Sequence, residues 1–164
     1  MEINATDPIP VVGRFAPSPT GPLHTGSLVA AVGSWLMAKS AGGQWLLRID
    51  DLDGPRCRQE FEDDILRTLE RFGLLWDGRI SRQSDNTAAY SEAFERLRGL
   101  GAVYPCGCSR AEIARSASAP HPGEEIPYPG TCRNGLPADR ASRAWRLRTN
   151  GVTVAFDDLR HGRI

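Results

Sequence analysis

The chain has almost no lysine. Of its 20 lysine and arginine residues only Lys39 is a lysine, so chemistry that needs a lysine-bearing loop is excluded from this stretch. The sequence lacks the run of about 18 apolar residues that a membrane-spanning helix needs. Its start, MEINATDPIP, lacks the basic and apolar segments of a signal peptide. The net charge of +0 excludes a general attraction to nucleic acid or membranes. We therefore expect a cytoplasmic protein without a membrane partner.

Strands and helices alternate in the first part of the chain. IPVVGRFA and QWLLRID are short apolar runs that predict buried strands, and GSLVAAVGSWLMAKSAGG and RQEFEDDILRTLERFGL predict amphipathic helices. This order predicts parallel strands joined by right-handed crossovers, the first half of a doubly wound, Rossmann-like α/β sheet, which we assign to residues 1–103. The residues expected to face the core are Leu28, Ala31, Val32, Trp35, Leu36, Phe61, Ile65, Leu69 and Phe72.

Residues 104–164 differ in character. After a third predicted helix, TAAYSEAFERLRGLG, the chain becomes rich in proline, with a short helix candidate at SRAEIARSASA. RAWRLRT and VTVAFDDLRHGRI alternate with period two, which predicts antiparallel strands. We assign this part to a small module that needs a cross-link such as a bound metal ion, because it cannot bury a sufficient core.

The loop GRFAPSPTGPLHTGS, residues 13–27, joins the first strand to the first helix. It lies at the carboxyl ends of the strands, where open α/β sheets bind ligands. The amides at the start of the helix favour phosphate, and Gly21 and Gly26 remove side chains that would block its approach. His24 adds a donor that can stabilise charge on a phosphoryl oxygen. The alternative is a stiff surface turn in which His24 only caps the helix.

Three of the four cysteines, Cys106, Cys108 and Cys132, lie in the proline-rich module. Three thiolates bind zinc tetrahedrally together with one further ligand. Histidine is the most common choice chemically, and the nearby candidates are His121, Glu124, Glu125 and Tyr128. The alternative is three reduced cysteines without a metal. Cys57 has no partner motif, and we interpret it as an unligated thiol.

RFAPSPTGPLHTGSL resembles the first signature of the glutamate-specific class I aminoacyl-tRNA synthetases, with LHTGS in the place of the HIGH motif. The resemblance implies that glutamate is bound by Arg14, Phe15, Ala16, Pro17, Ser18 and Asp50. It implies that ATP, with Mg²⁺, is bound by His24, Gly26 and Ser27, of which His24 and Gly26 act in catalysis. An arginine suits the first of these roles because its guanidinium pairs with a planar carboxylate through two hydrogen bonds.

LLRIDDLDGPR is similar to the family segment R-I-E-D-x-D, and here Asp50 stands where the family usually has glutamate. The resemblance implies that this carboxylate receives the α-ammonium group of the amino acid. Aspartate is one methylene shorter, which affects its reach. The alternative is that Asp50, Asp51 and Asp53 are ordinary acidic turn residues, with Arg48 and Arg56 as ion-pair partners.

YPCGCSRAEI followed by YPGTC is similar to the C-x-C…Y-x3-C zinc site of a short paralogue within this family. The ligands implied are Cys106, Cys108, Tyr128 and Cys132. That paralogue activates glutamate with ATP to glutamyl-adenylate and transfers it to the queuosine base of tRNA(Asp). We therefore expect glutamate, ATP and tRNA(Asp) as partners of a monomer.

Other functions remain open at this point. They are a conventional glutamyl-tRNA synthetase charging tRNA(Glu), a non-catalytic zinc-bearing RNA-binding fragment, and a nucleotidyl transferase that uses H-x-G-H. Ser27 replaces the last histidine of that motif, which disfavours the nucleotidyl-transferase hypothesis. The family's lysine-bearing KMSKS loop has no counterpart in this sequence. We therefore interpret the 164 residues as a truncated, N-terminal portion that has little or no activation activity alone.

Overall fold

A computed structural model of the chain describes residues 10–116, 126–138, 140–149, 151–158 and 160–164. The chain divides between Tyr90 and Ser91 into two compact units. The elements up to this division are β1 (Val12–Phe15), α1 (Thr25–Ser40), β2 (Gln44–Ile49), α2 (Gln59–Arg71), β3 (Ser81–Arg82) and a 3₁₀ turn (Ser84–Asn86). The boundary lies within α3 (Thr87–Gly99). Within the described ranges, no helix has the length and apolar character to cross a membrane.

The first unit is built on a parallel sheet in the order β1-β2-β3. Val12 pairs with Gln44 and Phe15 with Leu47, and β2 continues the sheet by pairing Arg48 with Ser81. Helices connect successive strands because parallel neighbours need a crossover. The parallel sheet predicted from the alternating order of elements is confirmed.

One face of β2 forms the centre of the core. Trp45 and Leu47 are buried, as are Ile65 and Leu69 of α2. The Phe15 ring stacks on Trp45 with a centroid separation of 6.1 Å and an angle of 10° between the rings. The period-two pattern of QWLLRID therefore marks the buried face of the sheet.

Helix α1 buries Ala31 as predicted and Ala38 in addition, but not Leu36. Ala31 and Ala38 are buried, whereas Leu36 is 53% exposed, so its predicted core position is wrong. The reason is the close approach of α1 to β1: a Cβ on Gly13 would lie 3.0 Å from the Cβ of Ala38. Phe72 is also exposed, contrary to prediction, because it lies just beyond the last residue of α2.

The single lysine has a structural role. Lys39 Nζ lies 2.6 Å from Asp77 Oδ2, which also accepts the backbone N–H of Trp45 at 2.7 Å. These two interactions lower the pKa of Asp77. Lys39 therefore joins the last turn of α1 to the segment after α2.

The second unit contains short elements around a small core. They are β4 (Val103–Cys106), α4 (Arg110–Ser116), β5 (Ala144–Leu147), β6 (Asp157–Asp158) and β7 (Gly162–Arg163). Strands β4 and β5 pair antiparallel, as do β6 and β7. The buried residues of its core are Tyr104, Cys106 and Cys132. Most of VTVAFDD, which was predicted as a strand, is not one: Val152, Val154 and Phe156 are exposed, so packing against the described part of the unit does not hold them in a sheet.

Candidate active site and candidate metal site

The loop between β1 and α1 encloses a cavity of about 460 Å³. Most of the residues predicted to bind glutamate or ATP line it, namely Phe15, Ala16, Pro17, Ser18, His24, Gly26 and Ser27. The cavity opens at the carboxyl end of β1, the edge of the sheet expected for a ligand. The structure therefore brings seven of the predicted residues together around one cavity, whereas Arg14 and Asp50 are not among the residues that line it.

Backbone hydrogen bonds hold this loop in place. The N–H of Asp50 donates to the Pro17 carbonyl at 3.0 Å, and the N–H of Arg58 donates to the Pro19 carbonyl at 3.0 Å. Pro19 itself is fully buried. The loop is thus fixed to the segment after β2, which distinguishes it from a stiff turn lying free on the surface.

His24 caps helix α1. Its Nδ1 accepts the backbone N–H of Ser27 at 3.2 Å, one residue before the helix begins at Thr25. A neutral imidazole that accepts through Nδ1 carries its proton on Nε2 and can donate from there. The capping alternative thus describes the geometry, and the cap itself leaves a donor available for a phosphoryl oxygen.

Gly26 makes room for the His24 ring. A Cβ at Gly26 would lie 2.9 Å from Cε1 and 3.1 Å from Nδ1 of His24. A Cβ at Gly21, in contrast, would meet nothing within 4 Å. The sequence suggests the same role for both glycines, but only Gly26 has a steric requirement.

We expect Gly26→Ala to displace the His24 ring and weaken the cap. The cap hydrogen bond contributes about 1 kcal/mol, so protection of the Ser27 amide against hydrogen exchange should fall about fivefold. NMR-detected exchange measures this directly. Gly21→Ala is the matched control and should leave the Ser27 amide unchanged. Equal protection in both variants would show that the ring does not need this space.

Arg14 and Asp50 lie on one side of the sheet. Arg14 pairs in register with Leu46, and Arg48 and Asp50 follow Leu46 at intervals of two residues. Their side chains therefore project away from the face that buries Trp45. Arg14 is exposed and forms no ion pair within the part of the chain that the structure describes. It is thus available to a carboxylate.

Asp50 is held by a neighbouring arginine. Arg48 Nε donates to Oδ1 at 2.6 Å and Arg48 Nη2 to Oδ2 at 3.1 Å. The hydrogen bonds raise the pKa of Arg48. The Asp50 side chain remains 25% exposed. The alternative in which Asp50 is an acidic turn residue paired with Arg48 thus describes the chain without substrate. An ammonium group would share this carboxylate with Arg48.

The adjacent aspartates serve the loop itself. Asp51 accepts the backbone N–H of Ser84 at 2.9 Å and its hydroxyl at 2.5 Å. Burial raises the pKa of Asp51, but these hydrogen bonds outweigh burial and lower it. Asp53 forms an ion pair with Arg56. Neither aspartate is left without a partner.

The structure also contains an ion pair with a buried carboxylate that the sequence patterns do not predict. Glu62 of α2 is 4% exposed, and its Oε1 accepts Arg82 Nε of β3 at 3.0 Å. The available signal was an acidic residue between apolar positions of the α2 core face. This pair holds α2 against the end of the sheet.

The three cysteines of the second unit form one cluster. The sulfur atoms of Cys106, Cys108 and Cys132 lie within 4.8 Å of one another, and those of Cys108 and Cys132 are 3.7 Å apart. Cys106 ends β4, and Cys132 lies in a turn later in the chain. Cys57 belongs to the first unit, where its Sγ lies 4.0 Å from the Asp50 carbonyl. The cluster can hold a metal ion.

Tyr128 places its hydroxyl group at this cluster. The oxygen lies 3.3 Å from Cys106 Sγ and 3.9 Å from Cys108 Sγ, and it accepts the backbone N–H of Cys132 at 2.9 Å. The alternatives His121, Glu124 and Glu125 lie outside the described residues. The hydroxyl oxygen of Tyr128 is therefore placed to serve as the fourth ligand of a metal ion.

The environment favours a thiolate at Cys106. Burial raises the pKa of Cys106, but hydrogen bonds with Tyr128 and Arg146 lower it to about 6. Burial and its contact with Cys106 raise the pKa of Tyr128. The thiolate is the form of cysteine that binds metals.

The family model and the similar proteins that comparison finds all belong to the tRNA synthetases. Residues 10–139 match the family model for class I tRNA synthetases (E and Q), catalytic domain. The glutamyl-Q tRNA(Asp) synthetase of Geobacter sulfurreducens is 58% identical over 160 residues, which cover 97% of this chain and 51% of the relative. The enzyme of the same name from Dechloromonas aromatica is 56% identical over 94% of this chain and 52% of the relative. The chain thus spans about half the length of the curated relatives it matches.

Solved structures show the same fold. A glutamate tRNA ligase from Elizabethkingia meningosepticum, solved with its amino acid, has a TM-score of 0.56 and 34% identity. The match covers 65% of this chain and 23% of the ligase. The glutamate-tRNA synthetase of Elizabethkingia anophelis gives a TM-score of 0.58 at 32% identity, over 66% of this chain and 23% of the synthetase.

Proposed function

We propose a function from the premise that this chain belongs to the class I tRNA synthetases (E and Q), of whose catalytic domain it forms a part. It supplies the glutamate- and ATP-binding portion of an enzyme that makes glutamyl-adenylate and passes the glutamyl group to the queuosine base of tRNA(Asp). The observation that carries this proposal is the cavity of the β1–α1 loop, which most of the residues predicted from the first signature line.

The activation step needs positioning and charge stabilisation. A carboxylate oxygen of glutamate attacks the α-phosphorus of ATP and forms the new P–O bond. The bond between the α-phosphorus and pyrophosphate breaks, and pyrophosphate leaves. Arg14 holds a carboxylate of glutamate, and Asp50 receives the ammonium group beside Arg48. His24 Nε2 and the first amides of α1 stabilise the charge that develops on the phosphoryl oxygens. Mg²⁺ accompanies ATP as part of the substrate.

The cysteine cluster fits zinc. Zinc–thiolate bonds of about 2.3 Å in a tetrahedron place two sulfur atoms about 3.8 Å apart. Cys108 and Cys132 are 3.7 Å apart, and the Tyr128 oxygen lies 3.3 and 3.9 Å from two sulfurs. We infer that Cys106, Cys108, Tyr128 and Cys132 hold a structural zinc ion, which would fix the turns of the second unit.

The choice of RNA is supported by the relatives. Those named glutamyl-Q tRNA(Asp) synthetase are 58% and 56% identical to this chain, against 34% for the solved glutamate tRNA ligase. The Tyr128-x3-Cys132 spacing also resembles the zinc site of the queuosine-modifying paralogue. A conventional enzyme that charges tRNA(Glu) is the second candidate.

Glutamate-dependent exchange of labelled pyrophosphate into ATP tests this function. The chain is fused to the second half of the Geobacter sulfurreducens relative, and the chain alone and that half alone serve as controls. Exchange by the fusion without RNA, and little or none by either half, is expected. Exchange only with tRNA(Glu) would indicate a conventional synthetase. Glutamate should support faster pyrophosphate exchange than aspartate. Faster exchange with aspartate would contradict the role given to Asp50.

A further inference from the structure

Strand β5 turns arginines toward the interior of the second unit. In the antiparallel pair of β4 and β5, Tyr104 lies opposite Arg146 and Cys106 opposite Ala144. Side chains two residues apart share a face of a strand, so Arg146 and Arg148 lie on the face of Tyr104 and Cys106. Tyr104 and Cys106 are buried on that face. Cations turned toward a buried cluster need negative charge to compensate for their lost hydration.

Arg146 lies directly against Tyr128. The central carbon of its guanidinium group is 3.6 Å from the centre of the Tyr128 ring. At this distance the planar guanidinium stacks on the aromatic face, a favourable cation–π arrangement. The stacking fixes the ring orientation, and with it the direction in which the hydroxyl group points.

A second observation directs Arg146 toward the sulfur atoms. Its Nε is buried and has no hydrogen-bond partner in the described part of the chain. An unpaired buried donor is costly, so a negative acceptor is expected nearby. Elsewhere on the guanidinium, hydrogen bonding and charge attraction to Cys106 raise the pKa of Arg146. Three thiolates around a divalent cation retain net negative charge, whether the Tyr128 oxygen binds as hydroxyl or as phenolate.

We propose that Arg146 is a positioning residue of the metal site, holding the Tyr128 oxygen toward the thiolates and balancing the negative charge of the loaded cluster. The assignment rests on the zinc site proposed above. Arg148 provides a comparison on the same strand face. Its guanidinium carbon lies 4.8 Å from the Tyr104 ring centre, and Tyr104 is not one of the proposed ligands.

Zinc affinity measured by chelator competition tests the assignment on the whole chain. Arg146→Met should weaken zinc binding roughly 10- to 100-fold, the usual effect of losing a partner that supports metal ligands. Arg146→Lys keeps the charge but not the planar stacking, so its zinc affinity should lie between that of Arg146→Met and that of the unchanged chain. Arg148→Met should stay within about twofold of the unchanged chain. The visible absorption of the Co²⁺-loaded protein should change in Arg146→Met and not in Arg148→Met.

Each outcome is decisive. Wild-type affinity and an unchanged Co²⁺ spectrum in Arg146→Met would overturn the assignment while leaving the zinc site intact. An equal loss in Arg148→Met would also overturn it, because the effect would then come from general positive charge. If Arg146→Met does not fold with excess zinc, Arg146→Lys carries the test, and wild-type affinity in that variant overturns the proposal. A wild-type chain that binds no zinc overturns the metal site and this assignment together.

Discussion

A Cys132→Ser variant is expected to lose stoichiometric zinc and, with it, the folded structure of the second unit. Among the described residues of that unit, the buried core consists of Tyr104, Cys106 and Cys132, a core too small for apolar burial alone to offset the entropy of ordering the chain. Structural zinc supplies about 10–16 kcal/mol in small zinc-binding peptides. A serine hydroxyl does not replace a buried thiolate as a ligand.

Metal content and thermal unfolding measure this effect. Zinc per chain should fall from one to near zero, and a chelator should reproduce the change in the wild-type chain but add nothing to Cys132→Ser. Cys57→Ser is the control, since Cys57 belongs to the first unit and lies outside the cluster. Its zinc content should be unchanged. A Cys132→Ser chain that keeps its zinc and its unfolding curve would contradict the structural role of the metal.

The parallel sheet could be predicted because strands and helices alternate along the sequence, and that order requires crossovers between parallel strands. The apolar run QWLLRID predicts a buried strand, and its Trp45 and Leu47 are buried. Helix α1 shows the limit of such patterns. Its burial depends on how closely β1 approaches, which Gly13 permits, and a periodicity of large apolar residues does not contain that information. Leu36 was therefore placed in the core although it is exposed.

The roles assigned to the site residues come from motifs and stay predictions, and the partners of these residues could not be read from the sequence. Most residues predicted from the first signature line one cavity, but Arg14 does not. The bidentate contact between Arg48 and Asp50 was only one of several pairings that the sequence allowed. The role of Gly26 required the position of the His24 ring, which no residue spacing specifies. Arg146 gave no motif signal, because its meaning depends on the pairing of β5 with β4.

Replacing His24 is expected to have the second large effect, on catalysis. In the fusion with the second half of the Geobacter sulfurreducens relative, His24→Ala should reduce glutamate-dependent pyrophosphate exchange by about 10²- to 10³-fold. Loss of one donor that stabilises transition-state charge has this magnitude. The same variant also loses the cap hydrogen bond between Nδ1 and the Ser27 amide, which costs about 1 kcal/mol of stability.

His24→Asn separates these two roles. Asparagine is a good N-cap residue, so its side-chain oxygen can accept the Ser27 amide and maintain the start of α1. It has no group in the position of Nε2, so the donor toward the phosphoryl oxygen is lost. We therefore expect the stability of His24→Asn, measured by denaturant unfolding, to approach that of the unchanged fusion, while its exchange rate stays as low as that of His24→Ala. Recovery of the exchange rate in His24→Asn would show that His24 acts only as a helix cap, because the cap is the one property that asparagine restores.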